Sequence, residues 1–317
     1  MKIVIWLILC LIWGTTWFFI KIGLEDLPPI SFAAARFILA VIILAFIIFL
    51  QKIPLPVTKR EWKLLALTGI LQFSVNYSLV FWSEQYISSG LAAVLQAMIT
   101  VFGLALAWFH LPDERITWLK IFAVLIGLAG VATIFIEQLQ VNSFMAFAGC
   151  VAIVFGAYAA AHASILIKTY GGKIHPASLV FGQMICGLLP VILYALIKEG
   201  NPLTFNWTLQ AIISVLYLTI FGTIAAFWLY YWLLSRIEST KAMMISLVTP
   251  LIAVIIGGIF LGENLPPQTL LGGVLILASI GLIVFRKNLK PKTETKTNRN
   301  RFEADEVTNH RPLITKN

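Results

Sequence analysis

Apolar residues gather in ten runs, at positions 3–23, 30–51, 62–83, 87–111, 116–136, 144–167, 176–197, 207–235, 240–261 and 267–286, and none of the 14 acidic residues falls in the middle of one. About 20 apolar residues make a helix long enough to cross the hydrocarbon core of a bilayer. Inside lipid the backbone N–H and C=O groups find no outside partner, so helices and closed barrels are the spanning forms available. The pattern predicts an all-α membrane protein with ten transmembrane helices. The first run, MKIVIWLILCLIWG, imitates a secretion signal, but its apolar stretch is too long and lacks an A-x-A cleavage site. Small residues ahead of Cys10 are also missing, so lipoprotein processing is not expected and the segment stands as the first helix.

Composition and charge add an orientation. The 317 residues are 60% hydrophobic and 12% charged, with a mean hydropathy of +0.92; a soluble domain runs near 45–50% apolar and about 25% charged. The ten runs leave little chain for a soluble catalytic domain. The net charge of +9 need not imply nucleic acid. Eleven of the 23 Lys and Arg, from Lys2 to Lys241, fall on one side if the N-terminus is cytoplasmic, and the opposite side holds Lys21 and Lys198. Nine more lie after Phe285. This is the positive-inside asymmetry, and it predicts both termini in the cytoplasm. Residues 288–317 are poor in large apolar side chains and read as a disordered basic tail. Cys10, Cys150 and Cys186 all lie inside apolar runs, with no disulfide framework or metal spacing.

The two halves are alike. Leu79, Trp82, Ile87, Ser89, Ala92 and Leu111 recur 150 positions later as Leu229, Trp232, Ile237, Ser239, Ala242 and Leu261. Each half has a long third run, a tight turn, and a fourth run that ends in an acidic turn, LPDERIT at 111–117 and LGENLPP at 261–267. W-G at 13–14 echoes F-G at 155–156. Five helices per half is an odd number, so the second half must enter from the opposite face. The expected domains are 1–137 and 144–287, related as an inverted repeat, an architecture that places a site near the midplane between the halves.

W-G-T-T-W at 13–17, L-P-P-x-x-F-A-A-A-R-F at 27–37, the tight turns after the third and eighth runs, S-L-V-T-P-L at 246–251 and L-G-E at 261–263 resemble the EamA-type drug/metabolite transporter superfamily over residues 1 to about 287. The resemblance implies a ten-helix carrier of two EamA repeats that exports amino acids or related metabolites. It further implies a central cavity lined chiefly by helices 1, 3, 4, 6, 8 and 9, with helices 5 and 10 as outer supports. The fourth helix carries Thr100 where the ninth carries Pro250, so a proline kink is expected in one half alone.

Several residues are candidates for such a cavity. Trp13, Thr16, Trp17 and Lys21 recur at i, i+3, i+4 and i+8, one face of a helix. The tryptophans lie mid-run rather than in an interfacial belt, which favours a protein-facing role, either packing or an aromatic wall. Gln72, Asn76 and Ser83 share a stripe, with Tyr77 beside it. Gln96, Thr100 and Gly103 follow in the fourth run, Tyr158 and His162 in the sixth, Thr219, Thr223, Ala226 and Tyr230 in the eighth with Trp228 nearby, and Ser246 and Thr249 in the ninth. Amides and hydroxyls can simply join helices; aromatics with uncharged hydrogen-bonding groups also suit a small amphipathic or zwitterionic solute.

Arg36 stands about 9 Å into the second helix at 1.5 Å per residue. A charge there survives when paired or facing an interior. Glu84 is its expected partner, as a structural ion pair or an outer gate, and a carboxylate-binding role for Arg36 stays open. Gln183 is its counterpart in the second half. His162 has a reference pKa suited to proton exchange, set against hydrogen-bonded filler. Pro250 frees the carbonyl of Ser246, as a static kink or a hinge.

The expected function is a multi-pass carrier of the inner membrane that exports a small organic metabolite, an amino acid or related zwitterion, by alternating access. A multidrug or a nucleoside- or sugar-type carrier is the alternative within the superfamily. A membrane enzyme is disfavoured because the four histidines are scattered and no G-x-S-x-G or H-E-x-x-H occurs; a passive channel would show charged rings or a filter. No Walker loop occurs, so ATP is not the direct drive. No cofactor, metal or nucleic acid is expected; the partners are substrate and bilayer, with a homodimer left open.

Overall fold

The structure, a computed structural model, describes residues 1–87, 89–114, 116–134, 136, 143–261 and 267–284. The expected disordered tail at 288–317 and the acidic turn at 262–266 lie outside them. Among the described residues the chain is all helix, with no strand. Six helical stretches are long and apolar enough to cross a membrane: Lys2–Gly23, Pro29–Gln51, Lys59–Ser83, Phe144–Tyr170, Pro176–Lys198 and Leu209–Leu234. Shorter apolar helices cover Val94–His110, Trp118–Ile134, Ser239–Ile252 and Leu270–Ile283.

In detail the elements are α1 (Lys2–Gly23), α2 (Pro29–Gln51), α3 (Lys59–Gly69), α4 (Tyr77–Ser83), α5 (Ser89–Gln96), α6 (Ile99–His110) and α7 (Trp118–Ile134). They continue as α8 (Phe144–Tyr170), α9 (Pro176–Lys198), α10 (Leu209–Thr219), α11 (Ala226–Leu234), α12 (Ser239–Met243), α13 (Ile245–Leu261) and α14 (Pro267–Val284). Helix starts are chemically marked. Thr58 and Glu61 form a capping box on α3, Ser143 caps α8 through Ala146 N, and Thr208 caps α10 through Ala211 N. Pro29 and Pro176 occupy first-turn positions where no donor is lost.

Apolar side chains cover both faces of the helices. On α2, Phe37, Ala40, Leu44 and Ile48 are buried, whereas Ile42, Phe46 and Phe49 are 59%, 62% and 80% exposed. Such a stripe would aggregate in water; against acyl chains it is the outer surface of a membrane protein.

The long runs are not uniform helices. A π-helical segment, Ile70–Asn76, joins α3 to α4, and a second, Ile220–Ala225, joins α10 to α11. Their first residues are 150 positions apart. The fourth and ninth runs are each broken. The first break is a turn at 97–98, where Thr100 N donates to Ala97 O at 3.1 Å; the second is at 244, where Leu247 N donates to Met244 O at 3.1 Å. Pro250 has no proline counterpart in the fourth run, yet helix breaks are not confined to the half that carries it. Both runs break, and the break in the ninth is at Met244, six residues before Pro250. Pro250 sits inside α13, and Thr249 Oγ1 lies 3.4 Å from the Ser246 carbonyl that the proline leaves without an amide donor.

Two helices lack a side-chain cap of their own and take a carboxylate from elsewhere. Glu199, at the end of α9, accepts from Ile30 N at 2.9 Å and Ser31 N at 2.6 Å at the start of α2. Glu114 accepts from Ser239 N at 2.8 Å and from Ser239 Oγ at 2.5 Å at the start of α12, and Lys168 Nζ lies 3.4 Å from it. Lys168 also donates to Leu234 O and Ile237 O, so one carboxylate and one ammonium tie three elements together. Losing a hydrogen bond to a charged group costs about 1.5–3 kcal/mol. Glu114→Ala is expected to lower the melting midpoint of the detergent-solubilised protein by several degrees, whereas Glu61→Ala, at an exposed cap, should lower it much less. Equal midpoints for the two variants would refute this role for Glu114.

Candidate functional site

The two helix breaks meet. Thr100 Oγ1, just past the first, donates to Met243 O at 3.1 Å and lies 2.8 Å from Ser246 Oγ, so its hydroxyl serves the carbonyl that the second break leaves open. Beside this junction is a cavity of about 140 Å³. α1 gives it Trp13, Thr16 and Trp17, and the first π segment gives it Gln72 and Asn76. Tyr77 comes from α4, Gln96 from α5, Phe227 and Tyr230 from α11, and Ser246 and Thr249 from α13. Among the described residues, no Asp, Glu, Lys, Arg or His lines it.

The walls are aromatic and their polar groups are mostly engaged. The Trp13 ring stands 5.6 Å from Phe227 and 5.3 Å from Tyr230, and its Nε1 reaches Gly222 O in the second π segment at 3.4 Å. Tyr230 OH donates to Ser164 Oγ at 3.2 Å, and Thr16 Oγ1 donates to Trp13 O at 2.7 Å. Gln96 Nε2 donates to Asn76 Oδ1 at 3.1 Å, which leaves Gln96 Oε1 buried with no donor. Gln96, a residue of the aromatic cavity wall, therefore carries an unmet acceptor.

Of the candidates read from sequence, Trp13, Thr16, Trp17, Gln72, Asn76, Tyr77, Gln96, Tyr230, Ser246 and Thr249 line this cavity. The rest stand elsewhere for identifiable reasons. Thr100 is fully buried behind Ser246, with its hydroxyl consumed at the junction. Thr223 donates to Leu218 O, five residues earlier, across the widened turn of the π segment. Trp228 packs edge-on to His175 at 5.7 Å. Tyr158 is 37% exposed and packs on Phe102 and His162, and His162 lies 6.0 Å from His110. The inward face of α8 runs instead through Gly156, Ala160 and Ser164, and Tyr158 and His162 lie two positions further on, about 200° round the helix.

Arg36 and Glu84 do not pair. The two ion pairs among the described residues are Lys120–Glu238 at 2.9 Å and Lys168–Glu114 at 3.4 Å. Arg36 is 1% exposed, its guanidinium carbon 4.6 Å from the Phe37 ring centre, 4.5 Å from Tyr77 and 5.5 Å from Phe81. Glu84 Oε1 is buried without a hydrogen-bond partner.

Ser164, Phe227, Ala160 and Met243 also line the cavity and were not singled out from the sequence. A signal for Ser164 existed: Gly156, Ala160 and Ser164 at i, i+4 and i+8 form the small-residue stripe along which membrane helices approach closely. Gly156 carries out that approach, since a Cβ there would lie 3.2 Å from Asn76 Oδ1.

The chain matches the EamA-like transporter family over residues 1–136 and 147–285. It belongs to that family. The transporter is 26% identical to the uncharacterized transporter YoaV of Bacillus subtilis, over 87% of this chain and 94% of the relative. It is 30% identical to the uncharacterized inner membrane transporter YedA of Escherichia coli, over 89% of this chain and 90% of that one. It is 27% identical to a probable amino-acid metabolite efflux pump of Salmonella typhimurium, over 88% and 93%. A crystal structure matches the fold with a TM-score of 0.76 at 14% identity, covering 89% of this chain and 96% of its own. This EamA protein is thus a multi-span membrane transporter, and its relatives are named as transporters rather than enzymes.

Proposed function

We propose that this EamA transporter exports a small zwitterionic metabolite, an amino acid or close relative, across the inner membrane by alternating access around the central cavity. The observation that carries the reading is the cavity itself: aromatic walls, an unmet Gln96 acceptor and no charged lining side chain, at the junction of two broken helices. An ammonium group is stabilised by aromatic faces and by an amide oxygen. The efflux-pump relative from Salmonella and the inner-membrane relative from Escherichia coli support substrate class and location.

An inverted repeat of 1–137 and 144–287, ten spans and cytoplasmic termini form part of this proposal. Its supports are local and repeated. The π segments and the breaks recur at offsets near 150. α1 packs on α13, and α8, its counterpart, packs on α6. Gly69 packs against the Gln183 carbonyl, while its counterpart Thr219 donates to the Arg36 carbonyl at 3.1 Å. Reporter fusions at Glu25 and Asn201 are expected to read external, and those at Pro56 and Gly171 internal. Fusions at Gln138 and Asn309, outside the described residues, extend the test to external and internal positions respectively. Swapped readings at Glu25 and Pro56 would overturn the orientation.

The direct test is efflux and counterflow of amino acids from proteoliposomes. Saturable counterflow of at least one is expected. A lipophilic cation such as ethidium should be moved poorly, because a cation in low dielectric without a counter-charge costs several kcal/mol, and the lining offers none. His162, which stands off the cavity, should tolerate Ala with transport retained. Strong ethidium export with no amino-acid counterflow would favour the multidrug reading instead.

A further inference from the structure

Among the described residues Arg36 is one of the largest fully buried side chains, and two of its nitrogens, Nε and Nη2, have no hydrogen-bond acceptor. No described carboxylate forms an ion pair with it. Three aromatic rings enclose the guanidinium. They offset part of its desolvation, but an aromatic face accepts no in-plane N–H, and an uncompensated buried charge is strongly disfavoured. Nε and Nη2 lie on one edge of the guanidinium plane. That edge presents two parallel donors, the fork that matches both oxygens of a carboxylate.

The Tyr77 ring connects this group to the cavity. One side of it lies 4.5 Å from the guanidinium carbon, and the residue also lines the cavity. Tyr77 thus stands between Arg36 and the cavity, and its displacement would open a way from the cavity to the guanidinium. We infer that Arg36 is the carboxylate anchor of the central cavity, reached when the Tyr77 ring swings off the guanidinium. The inference rests on the cavity being the substrate site. It adds the class of group recognised: a single negative charge, since the lining supplies no second cation for a phosphate dianion. A substrate carboxylate on Arg36 and its ammonium at Gln96 Oε1 would together satisfy two groups that stand unmet in this structure.

The test uses purified full-length protein in detergent and in proteoliposomes. The probes are the standard amino acids and the corresponding amino-acid amides, which keep the ammonium and lose the carboxylate. Wild type is expected to bind at least one amino acid at least about tenfold more tightly than its amide, by thermal shift and by counterflow competition. Arg36→Met should abolish that discrimination by weakening the acid and not the amide, and its ligand-free melting midpoint should stay level or rise, because a buried unpaired charge has been removed. Arg36→Lys keeps the charge without the fork and should discriminate less than wild type. Wild-type discrimination in Arg36→Met, with a lowered midpoint, would make Arg36 a structural cation–π post and overturn the inference. Equal binding of acid and amide by wild type would overturn it while leaving an amino-acid-type substrate standing. No binding of either series would remove the proposed substrate class itself, and this inference with it.

Discussion

Gly187→Leu is expected to leave no monodisperse folded protein, and Gly187→Ala and Gly69→Ala to lower the melting midpoint sharply. Membrane helices gain little from hydrophobic burial against one another, so close backbone packing carries much of their association. At the crossing of α3 and α9 the backbones themselves touch. A Cβ on Gly187 would meet the Gly69 carbonyl oxygen, with the carbonyl carbon at 2.9 Å and Phe73 Cβ at 3.0 Å. A Cβ on Gly69 would meet the Gln183 carbonyl in the same way, with its carbon at 2.8 Å. No rotamer change relieves backbone against backbone, so the helices must part. Parting them breaks the bond from Ser74 Oγ to Gly187 O, 2.5 Å long and buried. Overpacking costs about 1–3 kcal/mol per site, and an orphaned buried hydroxyl adds about 1–3 more. Gly172, with nothing within 4 Å of an added Cβ, is the control and should accept Ala with little change. Fluorescence-detected size exclusion and thermal melts decide the matter; a wild-type midpoint for both alanine variants would show that the crossing is slack.

That crossing illustrates what the sequence carries and what it does not. Apolar run length announced the helices, because lipid leaves the backbone no alternative. The stripe of Trp13, Thr16 and Trp17 was legible for a similar reason: the face of α1 that carries them meets α11 and α13 along its length. Hidden were the features where tertiary contact overrides local pattern. Neither π segment has a sequence signature in ILQFSVN or IFGTIA, yet the first sets Asn76 against α8 and the second turns the Thr223 hydroxyl onto its own backbone. The break at 97–98 has neither Gly nor Pro, and it is matched by a hydroxyl, Thr100, that answers the opposite break. On α8, polar residues at 158 and 162 drew attention to the wrong face, because a small residue facing a cavity makes no show in a hydropathy pattern. The Arg36–Glu84 pairing was a charge argument where the molecule uses aromatic faces.

Asn76→Leu is expected to reduce counterflow of the best amino-acid substrate by roughly 5- to 150-fold, and Gln96→Leu by as much. Asn76 is the better-fixed partner: it is buried at the end of the π segment, and Gly156 of α8 packs against its side-chain and main-chain oxygens. Its Oδ1 accepts from Gln96 Nε2 and so fixes the Gln96 amide, whose Oε1 is the unmet acceptor. Substituting Asn76 leaves the Gln96 amide free to turn, and a substrate ammonium must then order it on binding. The loss of one oriented hydrogen bond to a charged group, together with a buried amide left half satisfied, is worth about 1–3 kcal/mol, which is the fold-range stated. Because the two residues act as one unit, the double variant should be little worse than either single one, a coupling that a double-mutant cycle measures. Gly156→Val, which pushes on Asn76 without touching the cavity, should reproduce part of the defect, and Thr223→Val, whose hydroxyl serves the backbone, should not. Wild-type affinity and rate in Asn76→Leu and Gln96→Leu at matched expression, or strictly additive losses in the double variant, would place the substrate path elsewhere in the molecule.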